Sequence, residues 1–285
     1  MAKPLGLTRI FSHQPYSHQP CHRYYSPVAI ALTRDVSPAL AVCELTHLER
    51  CSIDVELARR QHAAYEQALA AAGYTVERLP ATAEMPDSVF IEDAAVVVDE
   101  LAIVMRPGAE SRRIETPAVA DALARFRTVR AIEAPGTIDG GDVLTVGRRM
   151  FIGRSTRTNA AAIEQMRRLL APHGYVVCEV EVRGCLHLKS AVTALADDLL
   201  LINPAWIDRR VFADVEFVDV DPDEAMAANA LRLHDRVIYP TAFPRTGERL
   251  VARGLRLALV DASEVAKAEG AVTCCSLIFK DLRDG

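Results

Sequence analysis

The sequence predicts an α/β protein built as a closed set of five β/α units in one domain, an α/β propeller with helices outside and loops meeting at the centre. Three observations lead there. Short apolar runs come in pairs around polar turns, the turns recur at a near-constant interval, and one unpaired apolar run is left at each end of the chain.

Taken in order, PVAIALT (27–33) is the first lone run. DVELARRQHAAYEQALAAA (54–72) has helical apolar spacing and is closed by Gly73, the residue type that most readily forms a left-handed helix cap. VVVDELAIV turns at Asp99-Glu100 and reads as a β-hairpin. Thr116-Pro117 opens a second helix, with proline in the first helical position, where a missing N–H costs nothing. VLTVGRRMFIG turns at Gly147-Arg148, and a third helix runs from near Thr158 to just before Gly174. Two more hairpins follow, AVTALADDLLLIN around Asp197-Asp198 and ALRLHDRVIYP around His234-Asp235; CSLIF (275–279) is the last lone run. The turns lie 48, 50 and 37 residues apart, close to the period of propellers and other repeat architectures. Pairing the two lone runs would close the ring and remove two exposed edges. An open doubly wound sheet also alternates strands and helices, but it needs separate reasons for the periodic hairpins and the unpaired ends.

The 285 residues are half hydrophobic and one quarter charged, the composition of a globular chain with a large core. No apolar run approaches the roughly 18 to 20 residues that cross a bilayer, and the start lacks the compact apolar stretch of a secretory signal. A cytoplasmic location is therefore expected, with no membrane partner. A net charge of −5 with interspersed acids and bases leaves no electrostatic footprint for nucleic acid. Seven cysteines, at 21, 43, 51, 178, 185, 274 and 275, show no C-x-x-C spacing, which argues for free thiols rather than a disulfide framework or a zinc site. SHQP occurs twice, at 12–15 and 17–20, followed by Cys21 and His22. Such a tract can bind metal, but its prolines fit a flexible extension over 1–26 better, leaving 27–285 as a single folded domain.

Each hairpin, and the last lone run, is preceded by reactive residues: PDSVFIED (86–93), GTIDGGD (136–142), GCLHLK (184–189), AAN (227–229) and AVTCC (271–275). If the units are equivalent, these segments bring Asp87, Glu92, Asp93, Asp139, Asp142, His187, Asn229 and Cys274 to one place. Cysteine with histidine is the minimal pair for covalent catalysis. Crowded carboxylates repel one another unless a cation sits among them, and a guanidinium offers the fork that matches them best. Each piece alone has a plainer reading: His187 as a structural histidine, GTIDGGD as an acidic turn without a phosphate-cradle pattern, Arg112-Arg113 as a solvated pair, Arg157 as a neighbour of a helix start. Their convergence favours an enzyme acting on a substituted arginine.

DSVFIED, RPGAESRRIE, IDGGDVL, STRTNAA, LHLKS and TCCSLIF, in this order, resemble the dimethylarginine dimethylaminohydrolases of the guanidine-modifying (pentein) superfamily, over the chain from about residue 27 to its end. The resemblance implies a five-unit propeller with pseudo-fivefold symmetry and hydrolysis of Nω-methylated arginine, such as dimethylarginine or monomethylarginine, to citrulline and a methylamine. It implies Cys274 as nucleophile, His187 as acid and base, and Asp139 as its support. Asp93 matches the carboxylate that holds the guanidinium, with Asp87, Phe90 and Glu92 in the same wall. Arg112 and Arg157 match the grip on the substrate α-carboxylate, and Leu45 falls in a mobile loop over the pocket. Cys275 is expected on the opposite strand face from Cys274. No metal or organic cofactor is expected, and a homodimer is compatible with the sequence. Arginine deiminase and amidinotransferase activities use similar residues, and ribosome anti-association factors share the five-fold architecture without needing Cys274, His187 and a ring of acids.

Overall fold

A computed structural model of the chain describes Met1 and residues 28–282; apart from Met1, the expected extension over 1–26, with its SHQP repeat, lies outside the described residues. The chain forms five three-stranded sheets. β1 (Ala29–Arg34) is followed by α1 (Val55–Ala71) and returns in parallel as β2 (Thr75–Leu79). β3 (Ala95–Val97) and β4 (Leu101–Val104) form a hairpin, and α2 (Thr116–Ala124) carries the chain to β5 (Thr128–Ala131), parallel to β4. β6 (Val143–Val146), β7 (Arg149–Arg154), α3 (Ala160–Leu170) and β8 (Val176–Glu181) repeat that plan. α4 (Leu188–Ala191) leads into β9 (Val192–Ala194), β10 (Leu199–Ile202) and β11 (Glu216–Asp219). β12 (Leu231–Arg232), β13 (Val237–Pro240), α5 (Pro244–Ala252) and β14 (Leu257–Val260) form the fifth sheet. After α6 (Ser263–Ala266), β15 (Leu277–Lys280) lies antiparallel against β1, with Ile30 opposite Phe279.

All four expected hairpins form, and the two lone runs pair with each other. Burial explains the pattern of letters. The middle strands β1, β4 and β13 are buried throughout, whereas β2 and β5 are largely half-buried or exposed; strands covered on both faces need continuous apolar runs. Each main apolar cluster joins one sheet to the next, and the cluster holding Leu233 and Ile238 of the fifth region also holds Ala29 and Ala31 of β1.

Local signals place the helices. The Asp54 carboxylate accepts the Leu57 N–H at 2.9 Å to start α1, and Gly73 (φ +90°) follows its end. Asn159, rather than Thr158, caps α3 by accepting from Ala162 N–H; the Thr158 hydroxyl turns instead to Asp142, at 2.7 Å. Two expectations change. The crossover from β10 to β11 contains only a 3-10 turn, Arg209–Val211, because a connection with Pro204 and charged residues 208–210 offers no apolar stripe to pack. β15 begins at Leu277, so Cys274 and Cys275 lie in a turn before it, where Cys274 N–H bonds to Ala271 C=O at 3.2 Å. The turn, not strand alternation, sends Cys275 into the core and leaves Cys274 half-buried.

Candidate active site

The loops that enter the sheets surround a narrow cavity of about 20 Å³. It is lined by Asp87, Phe90, Asp93, Asp139, His187 and Cys274, with Glu44, Arg112, Arg157 and Glu269 around the same space. Two turns set the inner wall: 3-10 helix Ile91–Ala94 buries Glu92 and Asp93, and Gly140–Asp142 buries Asp142 beneath them. Close approach explains the Gly-Gly of GTIDGGD. A Cβ on Gly141 would stand 2.5 Å from His187 Nδ1 and 2.9 Å from Asp93 Oδ1, distances that real side chains do not tolerate. Gly270 likewise leaves room for the Phe90 ring, whose Cε1 would lie 2.1 Å from an added Cβ.

His187 precedes α4. Its Nε2 lies 3.1 Å from Asp139 Oδ2 and its Nδ1 3.9 Å from Asp93 Oδ1. Asp139 is fully buried and also accepts the Gly108 N–H at 2.9 Å. Asp142 fixes the neighbouring backbone by accepting from Leu188 N–H, Ser155 and Thr158. Burial by itself would lower the His187 pKa. The Asp93 charge, the bond to Asp139 and the further charges of Asp142 and Asp139 outweigh it and carry the imidazole up to about 9. It is therefore an imidazolium at neutral pH. Burial would raise Asp93, but His187, Arg112 and the Gly141 N–H hold it down to about 2. For Cys274 all the main influences agree: burial first, then the charges of Glu92 and Asp93, push the thiol well above its ordinary range.

Every buried acid of this wall has a partner. Arg112, itself 5% exposed, donates to Asp93 Oδ2 at 2.6 Å, to Glu115 at 3.0 Å and to the carbonyls of Asp87 and Phe90. Arg112, expected to grip a substrate carboxylate beside Arg157, lines the cavity and is at the same time tied into its wall. The reason is that two buried carboxylates demand a cation. Arg157 sits at the mouth, donating to the Thr46 hydroxyl at 2.8 Å. Glu92 points its carboxylate away from the cavity to Lys189 and to Thr273 (2.8 Å), while its own N–H bonds to the Cys274 carbonyl at 3.1 Å. Asn229 holds the same segment, receiving the Thr273 N–H and donating to its hydroxyl. Asp87 accepts from Glu44 N–H; Leu45 packs its side chain on the core instead of lining the cavity.

Sequence reasoning missed Lys189, Thr273, Glu44 and Glu269. Lys189 could have been found, since crowded acids call for a cation and it lies two residues beyond His187. Ligand atoms of Asp93, Asp139 and His187 lie within 4.8 Å of one another, as in a three-donor metal site. Asp93, however, is committed to Arg112 and the Gly141 N–H, and Asp139 to the Gly108 N–H. The set fits proton transfer and recognition of a flat cation.

A family profile described as "N,N dimethylarginine dimethylhydrolase, eukaryotic" matches residues 45–274. The N(G),N(G)-dimethylarginine dimethylaminohydrolase of Streptomyces coelicolor is 42% identical over 259 residues, 90% of this chain and 100% of that protein. The solved structure of the Pseudomonas aeruginosa enzyme, a cysteine-to-serine variant complexed with citrulline, superimposes with a TM-score of 0.84 at 37% identity, covering 87% of this chain and 98% of that one. The N-terminal domain of a cyanobacterial arginine dihydrolase shares the fold, with a TM-score of 0.80 at 20% identity over 88% of this chain and 97% of that one. By its matched segments, its identity to curated relatives and its fold, the chain belongs to the dimethylarginine dimethylaminohydrolase family.

Proposed function

We propose that the protein hydrolyses Nω-methylated arginine to citrulline and a methylamine through a covalent intermediate on Cys274. The observation that carries this reading is the shared cavity lined by Cys274, His187, Asp139 and Asp93. Asp93, with Asp87, Phe90 and Glu92 in the surrounding wall, receives the substrate guanidinium; Arg157 at the mouth, aided by Arg112, holds its α-carboxylate. Arrival of the cation reverses the field at the thiol. A unit charge about 4 Å away at an effective dielectric of about 20 is worth roughly 4 kcal/mol, or about 3 pKa units, so the thiol loses its proton to solvent. The thiolate then attacks the guanidinium carbon and forms the C–S bond. The His187 imidazolium gives its proton to the departing amine as the C–N bond breaks, leaving a thiouronium. Neutral His187 next takes a proton from water, whose oxygen adds to the same carbon; the C–S bond then breaks, the hydroxyl proton passes to the expelled thiolate as the urea C=O forms, and citrulline leaves. Asp139 holds the imidazole in place throughout.

We also read the five sheets as blades of one closed ring with pseudo-fivefold symmetry and residues 27–285 as one catalytic domain. The β1–β15 pairing and the apolar cluster linking the fifth sheet to the first support this. The test of function is incubation with dimethylarginine, monomethylarginine and arginine, measuring citrulline and the released amine. Turnover of the methylated compounds that is lost in Cys274→Ser is expected. Turnover of arginine alone would overturn the substrate, and a fully active Cys274→Ser would overturn the chemistry.

A further inference from the structure

Two working groups of the site stand on separate segments. Arg157 lies on the bend between β7 and α3, and His187 stands at the head of α4. One buried carboxylate joins them. Asp142 is fully buried and does not line the cavity. Its Oδ1 accepts the Leu188 N–H, next to His187, at 2.9 Å. Its Oδ2 accepts the hydroxyls of Ser155 at 2.5 Å and Thr158 at 2.7 Å, the residues that bracket Arg157. Each hydroxyl also receives a backbone N–H: Ser155 that of Arg157 at 3.0 Å, and Thr158 that of Asp139 at 3.4 Å.

Two relays therefore end on Asp142, one from the Arg157 backbone and one from the residue that supports His187. Packing tightens the same joint. A Cβ on Gly108 would lie 2.6 Å from Arg157 Cα, and the Gly108 N–H is bonded to Asp139. A Cβ on Gly153 would lie 2.7 Å from Asp142 Oδ1 and 2.9 Å from Leu188 Cβ. With so little free space, a shift of the Arg157 backbone is passed to Asp142 and on to Leu188. A buried carboxylate is costly unless it is hydrogen-bonded, and here all three donors come from the segments that carry the two working groups. An amide could not serve both sides. With its carbonyl on Leu188 it would turn N–H donors toward hydroxyls that are already donating. Burial carries Asp142 up to about 6, so at pH 8 it is a carboxylate.

We propose that Asp142 is a positioning residue that couples the two ends of the substrate: through Ser155 and Thr158 it transmits the grip of Arg157 on the α-carboxylate to the placement of His187. The identity of the substrate rests on the function proposed above; the link between the two segments does not. Remote substrate groups raise kcat only when their binding is felt at the reacting centre. The test compares kcat at pH 8 for dimethylarginine and for dimethylagmatine, the same molecule without its α-carboxylate. The native protein should favour dimethylarginine by about tenfold or more in kcat. In Asp142→Asn, and in the milder Ser155→Ala, that ratio should fall toward one. A substrate-free measurement accompanies it. In Ser155→Ala, amide hydrogen exchange at Leu188, followed by NMR, should quicken about twofold or more, the low end of coupling within one hydrogen-bond network. A native ratio near one would overturn the proposal, as would a ratio preserved in both variants while both turnovers fall, the signature of merely structural support. Unchanged exchange at Leu188 in Ser155→Ala would overturn it as well. If the native protein turns over neither compound, the functional reading fails, and the link stands or falls on the exchange alone.

Discussion

Arg112 sets the charge balance of the site. Its guanidinium lies between Asp93 and Glu115, both buried, and removing one member of a buried ionic set leaves the others uncompensated. Arg112→Met is expected to lose about 3–5 kcal/mol of stability, measured by urea denaturation; a loss below about 1 kcal/mol would mean that the pairs are solvated. His187 gives a second expectation. Its folded pKa of about 9 lies above the ordinary 6.5, so its contribution to stability is complete below about pH 6.5 and is lost as the pH rises through about 9. Asp139→Asn removes a hydrogen-bonded charge from the imidazole, so its stability should vary less across that window. For activity, kcat/KM of the native protein should fall above about pH 9 as the acid loses its proton. In Asp139→Asn that fall should begin at lower pH; an unmoved limb would detach Asp139 from the proton transfer. Cys274, His187, Asp93 and Asp139 were legible as letters and come together around one cavity. The commitment of Arg112 to the wall was not legible, because it depends on which carboxylates are buried together. Nor was Glu269, whose partners are backbone N–H groups more than 220 residues away.

At the level of elements, the turn GTIDGGD, which enters the third sheet, lies against the entry segments of the second and fourth at Asp93 and His187. Gly141→Ala would push a methyl group into His187 and Asp93. Displacing a catalytic group by about 1 Å can cost about a hundredfold in rate, whereas overpacking costs about 1–3 kcal/mol. The expected signature is a kcat reduced by about two orders of magnitude in a protein that still unfolds cooperatively; near-native kcat would show that the ring can shift without loss. Hairpins and helix caps were the most readable elements, since turn residues and alternation are local signals. The helix-free crossover after β10 and the late start of β15 were not, since apolar spacing does not say where a turn ends.

For the whole molecule, the pairing of β15 with β1 joins the first and last strands of the described residues. A chain ending at Ser276 would leave the β1 edge unpaired and uncover Ile30 and Leu32, which are buried with Leu277 and Phe279. It is expected to lose its cooperative thermal transition, and a native-like melting curve would show that the ends contribute little. Among the described residues no helix is long and apolar enough to cross a membrane. The five-unit plan was readable because a repeated hairpin is a pattern of the chain as a whole, and the lone runs at its ends pointed to each other. The central claim is that five distant segments meet so that one thiol attacks one flat cation, and quenching turnover in acid and weighing the Cys274 peptide tests it directly. Dimethylarginine and monomethylarginine should leave adducts of identical mass on that peptide, because the distinguishing amine has already departed. An unmodified peptide during rapid turnover, or an adduct that keeps its methyl groups, would contradict the account.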